Sequence, residues 1–243
     1  MFKFYEVGGK IRDEILGLKS KDVDYVAVPN EMLLRDYTEA VDMFQVLSDY
    51  LTKEKFEIFL ETPGCFTIRA KFPDGHKYSG VADFVMARKE VGYIPGTRTP
   101  IVRPGTLYDD LERRDFTLNA LAKGDDGEIV DFFNGMKDLK NGILRTPLPC
   151  AETFDDDPLR ILRAIRFSIT KGFEIPREMW FEMYHYNYDR KMGVVSTERI
   201  KDELFKCFKH DTMETLKILN TFPNLRNYIF NDTTLWLKPT MEQ

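Results

Sequence analysis

Residues 2–28, FKFYEVGGKIRDEILGLKSKDVDYVAV, decide the fold. Residues 2–7 predict a short strand, Gly8-Gly9 predicts a tight turn, and residues 10–16 predict a helix because their apolar side chains recur at helical spacing. The β-branched and apolar run at 22–28 then predicts a buried strand. We therefore expect a strand, a glycine turn, a helix and a second strand in immediate succession.

Outside this stretch the pattern is mixed α/β up to about residue 150 and helical beyond it. Pro147 and Pro149 mark the change, so we expect two domains, at 1–148 and 149–243. The other predicted elements are helices at 31–53 and from a capping box at Thr106 to about 122, strands at 56–60, 65–72, 77–87 and 128–133, a loop at 95–105, a helical turn at 135–139, and helices near 157–170, 177–188, 196–209 and 211–220.

Composition excludes several classes of protein. The chain has 243 residues, of which 43% are hydrophobic and 31% charged, as is typical of a soluble globular protein. Because it lacks both a run of roughly 18 apolar residues and the apolar core of a signal peptide, we expect no membrane contact and a cytoplasmic location. A net charge of −5 means that nucleic-acid binding would depend on a local basic patch. Three cysteines and three histidines disfavour a disulfide framework, a zinc site and a histidine-rich phosphohydrolase site.

Asp22 and Asp24 lie two residues apart in a predicted strand. Strand alternation points both carboxylates to one face, where they repel each other unless a cation joins them, although such a pair also fits a solvated surface. Hard oxygen ligands favour Mg²⁺, which usually keeps water and substrate phosphates in its shell. Gly8-Gly9, at the start of the preceding helix, offers backbone N–H groups to a phosphate, and Arg12 lies one turn further on. Together these features predict a site for a nucleoside triphosphate.

Residues 113–120, RRDFTLNA, form a polar cluster inside the helix that is predicted to end near residue 122. Apolar residues at 111, 116 and 121 bury one side of that helix. Arg114, Asp115 and Asn119 then project elsewhere, either into solvent or into a site.

Arg160, Arg163 and Arg166 recur at i, i+3 and i+6 on a helix that Asp157 precedes. Helix capping explains Asp157 and an i,i+3 pair explains Arg160, but neither explains a ridge of three arginines. A carboxylate beside a guanidinium complements the hydrogen-bonding edges of cytosine and adenine, whereas uracil and guanine present the reversed pattern. Asp157 and Arg160 are therefore candidates for reading a base.

These motifs, in this order, resemble those of the class II tRNA nucleotidyltransferase and bacterial poly(A) polymerase family. The resemblance spans about residues 2–210 and is carried by 8–13, 22–24, 113–120 and 157–167, with the remaining motifs at 131–145 and 197–204. It implies an α+β fold, with a polymerase β-like nucleotidyltransferase head on a mixed sheet followed by an all-α neck domain. Members commonly continue into further helical domains that hold the tRNA, so we expect this chain to contain the catalytic head and the neck.

The resemblance also implies roles for the candidate residues. Asp22 and Asp24 would hold two Mg²⁺ ions, and Asp83 is a candidate third catalytic carboxylate. Gly9 and Arg12 would contact the triphosphate, and Asp115 would lie near the ribose. Asp157 and Arg160 would form a protein template for the base, with Glu198 and Arg199 bracing its helix. The full nucleotide-binding set is Gly8, Gly9, Arg12, Arg114, Asp115, Asn119, Asp157, Arg160, Arg163 and Arg166.

The implied activity is template-independent addition of CMP and AMP, from CTP and ATP, to the 3′ end of tRNA with release of pyrophosphate. Poly(A) addition, and partial addition of only CC or only A, fit the same base-reading residues. A non-catalytic RNA- or nucleotide-binding protein is the alternative from another class. The expected partners are the 3′ end of tRNA or another RNA, ATP and CTP, with Mg²⁺ as cofactor and no oligomeric state predicted.

Overall fold

The computed structural model describes residues 2–19, 23–36, 40–94, 97 and 100–232. The predicted ligand Asp22 and part of the predicted helix 31–53 lie outside these ranges. The chain divides into two compact units. The first contains the residues up to Asn141 with Thr146–Leu148, and the second contains Gly142–Arg145 with the residues from Pro149 onward.

The first unit is built on a mixed sheet. Its strands are β1 (Phe2–Val7), β2 (Asp24–Pro29), β3 (Glu57–Thr62), β4 (Thr67–Lys71), β5 (Val81–Met86), β6 (Arg88–Tyr93), β7 (Pro100–Pro104), β8 (Ala122–Lys123) and β9 (Ile129–Val130). Within the described ranges, seven of them form one sheet in the order β3-β4-β5-β2-β1-β8-β9, while β6 and β7 form a separate hairpin. β2 and β5 are parallel and the other neighbours are antiparallel, which confirms the predicted mixed sheet.

Helices cover both faces of this sheet. They are α1 (Gly9–Ile15), α2 (Glu31–Asp36), α3 (Ala40–Lys53), α4 (Leu107–Glu112) and α5 (Gly135–Asn141). Alternation along β2 sends Tyr25 to the core that includes Leu47 of α3, and Val26 to the core that includes Leu111 of α4. Asp24, two residues before Val26, therefore belongs to the α4 side of the sheet.

The second unit is helical, which confirms the predicted all-α region. Its helices are α6 (Cys150–Asp156), α7 (Leu159–Lys171), α8 (Arg177–His185), α9 (Tyr188–Lys191), α10 (Thr197–His210), α11 (Thr212–Thr221) and α12 (Pro223–Asn227). Gly172, with a φ of +71°, ends α7 in the left-handed conformation that glycine adopts easily. No helix among the described residues is long and apolar enough to cross a membrane.

The prediction of a continuous helix to about residue 122 is wrong. The capping box at Thr106 is present, but α4 ends at Glu112 and a 3₁₀ turn follows at Thr117–Asn119. The Asp115 side chain accepts the N–H of Phe116 at 2.8 Å, and Phe116 is extended. Because a side-chain oxygen takes the place of a helical carbonyl, the helix cannot continue through this point.

The predicted loop at 95–105 is also wrong in part. Residues Pro100–Pro104 form β7, which pairs with the unpredicted strand β6. The proline content favoured a loop, but a two-stranded hairpin has exposed edges on which prolines can lie without losing a ladder hydrogen bond.

A close contact locks α5 against the 3₁₀ turn. A Cβ placed on Gly135 would lie 2.1 Å from the carbonyl oxygen of Thr117, so only glycine fits there. Beside it, the Thr117 hydroxyl donates to Asp138 Oδ2 at 2.8 Å, and both side chains are buried. The segment 113–120 is therefore held from the side of α5.

Replacing Gly135 by alanine is expected to destabilise the protein by about 3 kcal/mol, because backbone must move to admit the methyl group. Gly64→Ala is the matched control, since its Cβ would meet nothing within 4 Å; its free energy of unfolding should stay within about 0.5 kcal/mol of wild type. Urea unfolding followed by circular dichroism measures both. Equal midpoints for the two variants would show that the contact with Thr117 is not tight.

Candidate functional site

The glycine turn between β1 and α1 brings three charged side chains together. Gly8 has a φ of +78°, which a residue with a side chain adopts only under strain. A Cβ placed on Gly8 would lie 3.4 Å from Arg114 Nη1 and 3.5 Å from Asp24 Oδ2. A Cβ on Gly9 would lie 3.2 Å from Arg12 Nη2. Asp24, Arg12 and Arg114 thus converge on the turn.

Arg12 links the turn to the 113–120 segment. It is buried, and its Nε and Nη2 donate to the Asp13 carboxylate at 2.9–3.0 Å while its Nη1 donates to Asn119 Oδ1 at 2.6 Å. Asn119 Nδ2 donates in turn to Asp115 Oδ1 at 2.9 Å. The structure therefore brings Arg12 together with two other predicted residues, Asp115 and Asn119, which stand far from it in sequence.

Asp110 holds both arginines of the RRD motif, although it is not among the predicted site residues. Its fully buried carboxylate accepts Arg113 Nη2 at 2.5 Å and Arg114 Nη2 at 3.0 Å. Burial alone would raise the pKa of Asp110, but the charges of Arg113 and Arg114 outweigh it and keep the pKa below its ordinary value. The only signal in the sequence is the i,i+3 and i,i+4 spacing, which a surface ion pair shares.

Asp24 and Asp83 are the candidate carboxylates of the site that lie among the described residues. They are register partners in the parallel pairing of β2 with β5, so their side chains leave the sheet on the same side. Asp83 also forms an ion pair with Arg69 of β4 at 3.2 Å. Asp22, predicted as the second metal ligand, lies outside the described residues.

These carboxylates fit Mg²⁺. Hard oxygen donors suit that ion, which binds proteins through one or two carboxylates and fills its shell with water and phosphate. Gly8 leaves open the space beside Asp24 Oδ2 that a side chain would fill. Within the described ranges, no group of three or more His, Cys, Asp or Glu residues could hold a metal ion alone.

The second unit places the candidate template residues around the start of α7. Asp157 follows α6, and its Oδ1 accepts the N–H of Leu159 at 3.0 Å while its Oδ2 lies 3.8 Å from Nη2 of Arg199 on α10. Arg160 Nη1 donates to the carbonyl of Thr153 at 3.2 Å. The start of α7 is therefore tied to both α6 and α10.

Arg166 holds α7 against α10. Its Nε donates to Oε2 of the buried Glu203 at 2.5 Å, and its guanidinium lies 4.4 Å from the centre of the Phe167 ring. Glu203 lies within the motif at 197–204 but is not among the predicted site residues, because its partner lies 37 residues away on another helix. Arg163 also lies over Phe167, at 5.9 Å.

A mixed sheet with a parallel β2–β5 pair, two register-matched carboxylates and two arginines at a glycine turn define a nucleotidyltransferase-type head domain. The family model described as the poly(A) polymerase head domain matches residues 4–145. The chain belongs to this family, which confirms the resemblance carried by the sequence motifs.

Solved structures show the same fold over nearly the whole chain. A tRNA-processing enzyme in an apo form is 27% identical with a TM-score of 0.68, over 95% of this chain and 57% of that chain. A CCA-adding enzyme in an apo form is 26% identical with a TM-score of 0.66, over 99% of this chain and 51% of that chain. A tRNA-processing enzyme with CTP is 26% identical with a TM-score of 0.62, over 93% and 54%. The chain thus spans little more than half the length of these proteins.

The lowered pKa of Asp110 makes stability depend on pH. A carboxyl group whose folded pKa is depressed stabilises the fold above its unfolded pKa, and this contribution is lost as pH falls through the folded value. Asp110→Asn should therefore reduce the free energy of unfolding by about 3 kcal/mol at neutral pH, and the difference from wild type should shrink below about pH 4.

Urea unfolding between neutral and acidic pH measures this difference. Asp74→Asn, at an exposed turn position, serves as the control and should follow wild type throughout. A deficit for Asp110→Asn that stays constant down to the acid range would contradict the ion-pair explanation.

Proposed function

We propose that this protein is an RNA nucleotidyltransferase that adds CMP and AMP, from CTP and ATP, to the 3′ end of tRNA and releases pyrophosphate. The observation that carries the proposal is the convergence of Asp24, Arg12 and Arg114 on the Gly8-Gly9 turn, in a chain of this family. The similarity to a CCA-adding enzyme and to a tRNA-processing enzyme with CTP supports the choice of substrates.

The turn is suited to the triphosphate. Gly8 and Gly9 allow close approach to the backbone, and Arg114 directs Nη1 towards the space beside Gly8. Guanidinium groups bind phosphate oxygens strongly, through paired charge-assisted hydrogen bonds. We assign Arg114 to binding the phosphates. Arg12 donates to Asp13 and Asn119, so we assign it to stabilising the turn and to contributing positive charge there. Asp115, beside Asn119, is assigned to the ribose.

Asp24 and Asp83, together with Asp22, are the residues proposed to hold Mg²⁺. When bound there, the ion would favour ionisation of the RNA 3′-hydroxyl and neutralise charge on the phosphates. The protein would hold the hydroxyl and the α-phosphate in line and stabilise the charge that develops on the leaving pyrophosphate. Phosphoryl transfer of this kind needs no covalent enzyme intermediate and no histidine base.

Asp157 and Arg160 are proposed to select the base. One oxygen of Asp157 is fixed by the N–H of Leu159, so its orientation does not depend on the ligand. A carboxylate and a guanidinium held side by side match the edges of cytosine and adenine. Uracil or guanine would leave buried polar groups unpaired, which is a strong source of discrimination. Arg163 and Arg166 are assigned to supporting this helix.

The proposal is tested with purified protein, Mg²⁺, tRNA that lacks its CCA end, and each labelled nucleotide alone and in mixtures, resolved on a sequencing gel. CTP alone should add two residues, and CTP with ATP should add three. The family model describes a poly(A) polymerase head, so a long ladder from ATP alone would instead identify the second candidate, poly(A) addition. Failure to extend any RNA 3′ end would contradict both activities.

Asp24→Asn should lower the rate of incorporation by at least about 10²-fold, because it removes one of the carboxylates proposed to hold Mg²⁺ at the reacting phosphates. Its thermal unfolding curve should match that of wild type, since the side chain is only half-buried. Asp42→Asn, on the exposed side of α3, is the control and should keep full activity. Normal turnover by Asp24→Asn would exclude Asp24 from catalysis.

Asp157→Ala and Arg160→Ala should each reduce the preference for CTP over UTP by about 10²-fold. The quantity to measure is the ratio of kcat/KM for the two nucleotides. Arg190→Ala removes an exposed arginine from α9 of the same unit and should leave the ratio unchanged. If both template variants kept the wild-type ratio, the assignment of base selection to this pair would be wrong.

A further inference from the structure

Arg114 belongs to a cluster of largely buried charges. Its members are Arg88 and Glu90 of β6, Asp110 of α4, and Arg113 and Arg114 after α4. The exposed fraction of each side chain is between 0% and 19%. Three guanidinium groups thus share two carboxylates, and Arg114 is the member of the cluster that reaches the Gly8 turn.

The two carboxylates divide the arginines between them. Asp110 gives Oδ1 to Arg113 and Oδ2 to Arg114. Glu90 Oε1 lies 3.6 Å from Arg113 Nη1 and accepts Arg88 Nη2 at 3.2 Å. Tyr93 donates to the other oxygen of Glu90 at 2.6 Å and so fixes that carboxylate. Glu90 therefore holds Arg113 on one oxygen of Asp110 and leaves the other oxygen for Arg114.

Arg114 depends on Asp110 for its orientation. The bond from Nη2 to Asp110 is 3.0 Å, whereas Nη1 makes a 3.4 Å contact with the carbonyl of Asn119 and Nε is buried without a hydrogen-bond partner. The strong contact thus lies on the side away from Gly8. A long, flexible side chain held in this way presents its remaining N–H groups in one direction, which is the preorganisation that a binding site needs.

We propose that Asp110 and Glu90 are positioning residues that aim Arg114 at the phosphates of the nucleotide, with Arg113 as the link between them. This inference rests on the proposed function, in which Arg114 binds the nucleotide. Neither carboxylate touches substrate, and both act through Arg114. The β6–β7 hairpin thereby contributes to the site through Glu90. Gly105, two residues before α4, lies close to the start of β6, since a Cβ on it would lie 2.7 Å from backbone atoms of Arg88 and Lys89.

A double-mutant cycle on nucleotide binding tests the proposal. Calorimetric titration with CTP gives the Kd for wild type, Asp110→Asn, Arg114→Gln and the double variant, without any requirement for turnover. Asp110→Asn should weaken binding by about 10- to 100-fold through misplacement of Arg114. In the Arg114→Gln background, the same substitution should change the Kd no further. Glu90→Gln should behave in the same way with a smaller effect.

Asp109→Asn is the matched control. Asp109 is the neighbouring carboxylate on α4, and it accepts the N–H of Thr106 in the capping box, away from Arg114. Its loss should lower stability without changing the Kd, which separates a structural defect from a positioning defect. Glu90→Gln, at a partly exposed position, carries the cycle if Asp110→Asn does not fold.

The possible outcomes distinguish the positioning role from the proposed function. Two results would overturn the positioning role. The first is that the fold-changes in Kd for Asp110→Asn and Arg114→Gln multiply in the double variant. The second is that Glu90→Gln and folded Asp110→Asn both bind CTP with the wild-type Kd. A wild-type protein that binds CTP but extends no RNA would overturn the proposed function and leave the cycle readable. Absence of CTP binding by wild type would overturn both.

Discussion

The register of β2 between β1 and β5 is the constraint on which the site depends. Val7 pairs with Asp24 on one side, and Asp83 pairs with Asp24 on the other. The first pairing places the Gly8 turn beside the Asp24 carboxylate, and the second aligns the two acids. A slip of one residue would turn Asp24 to the α3 side of the sheet and bring Tyr25 into its place. The two apolar cores prevent that slip, because Tyr25 and Val26 would exchange environments.

The register gathers charged side chains at one place in the head domain, so these charges have to be neutralised. A site that gathers acids and arginines in one place is costly unless each ion has a partner. Arg12 is matched by Asp13, and the two arginines of the RRD motif are matched by the fully buried Asp110. These partners come from the same local segments as the arginines they hold. Each of these pairs is therefore local in sequence, although Arg12 and Arg114 meet at a turn formed by distant segments.

Much of the first unit is readable from the sequence, for local reasons. Two glycines between a strand and a helix predict the turn, and Thr106 predicts the start of α4. The end of α4 cannot be predicted from the sequence, because apolar residues continue at helical spacing through Phe116. In the structure the Asp115 side chain accepts the N–H of Phe116, which a continuing helix would use. The pairing of β6 with β7 cannot be predicted either, because the prolines of β7 favour a loop.

The residues of the candidate site also fall into those that the sequence predicts and those that it does not. Motifs predict Arg12, Arg114 and Asp24 as site residues. Asp110 and Glu203 are not predicted, because only their burial in the structure shows that their ion pairs matter. Gly135 lies within the motif at 131–145, but its tight fit against the Thr117 carbonyl is visible only in the structure. Helix α5 packs against the RRDFTLNA segment. A fragment of this protein that ends after β9 would therefore lack the contacts that hold this segment and its arginines in place. The smallest piece of chain able to keep the head site in order therefore has to extend through Asn141.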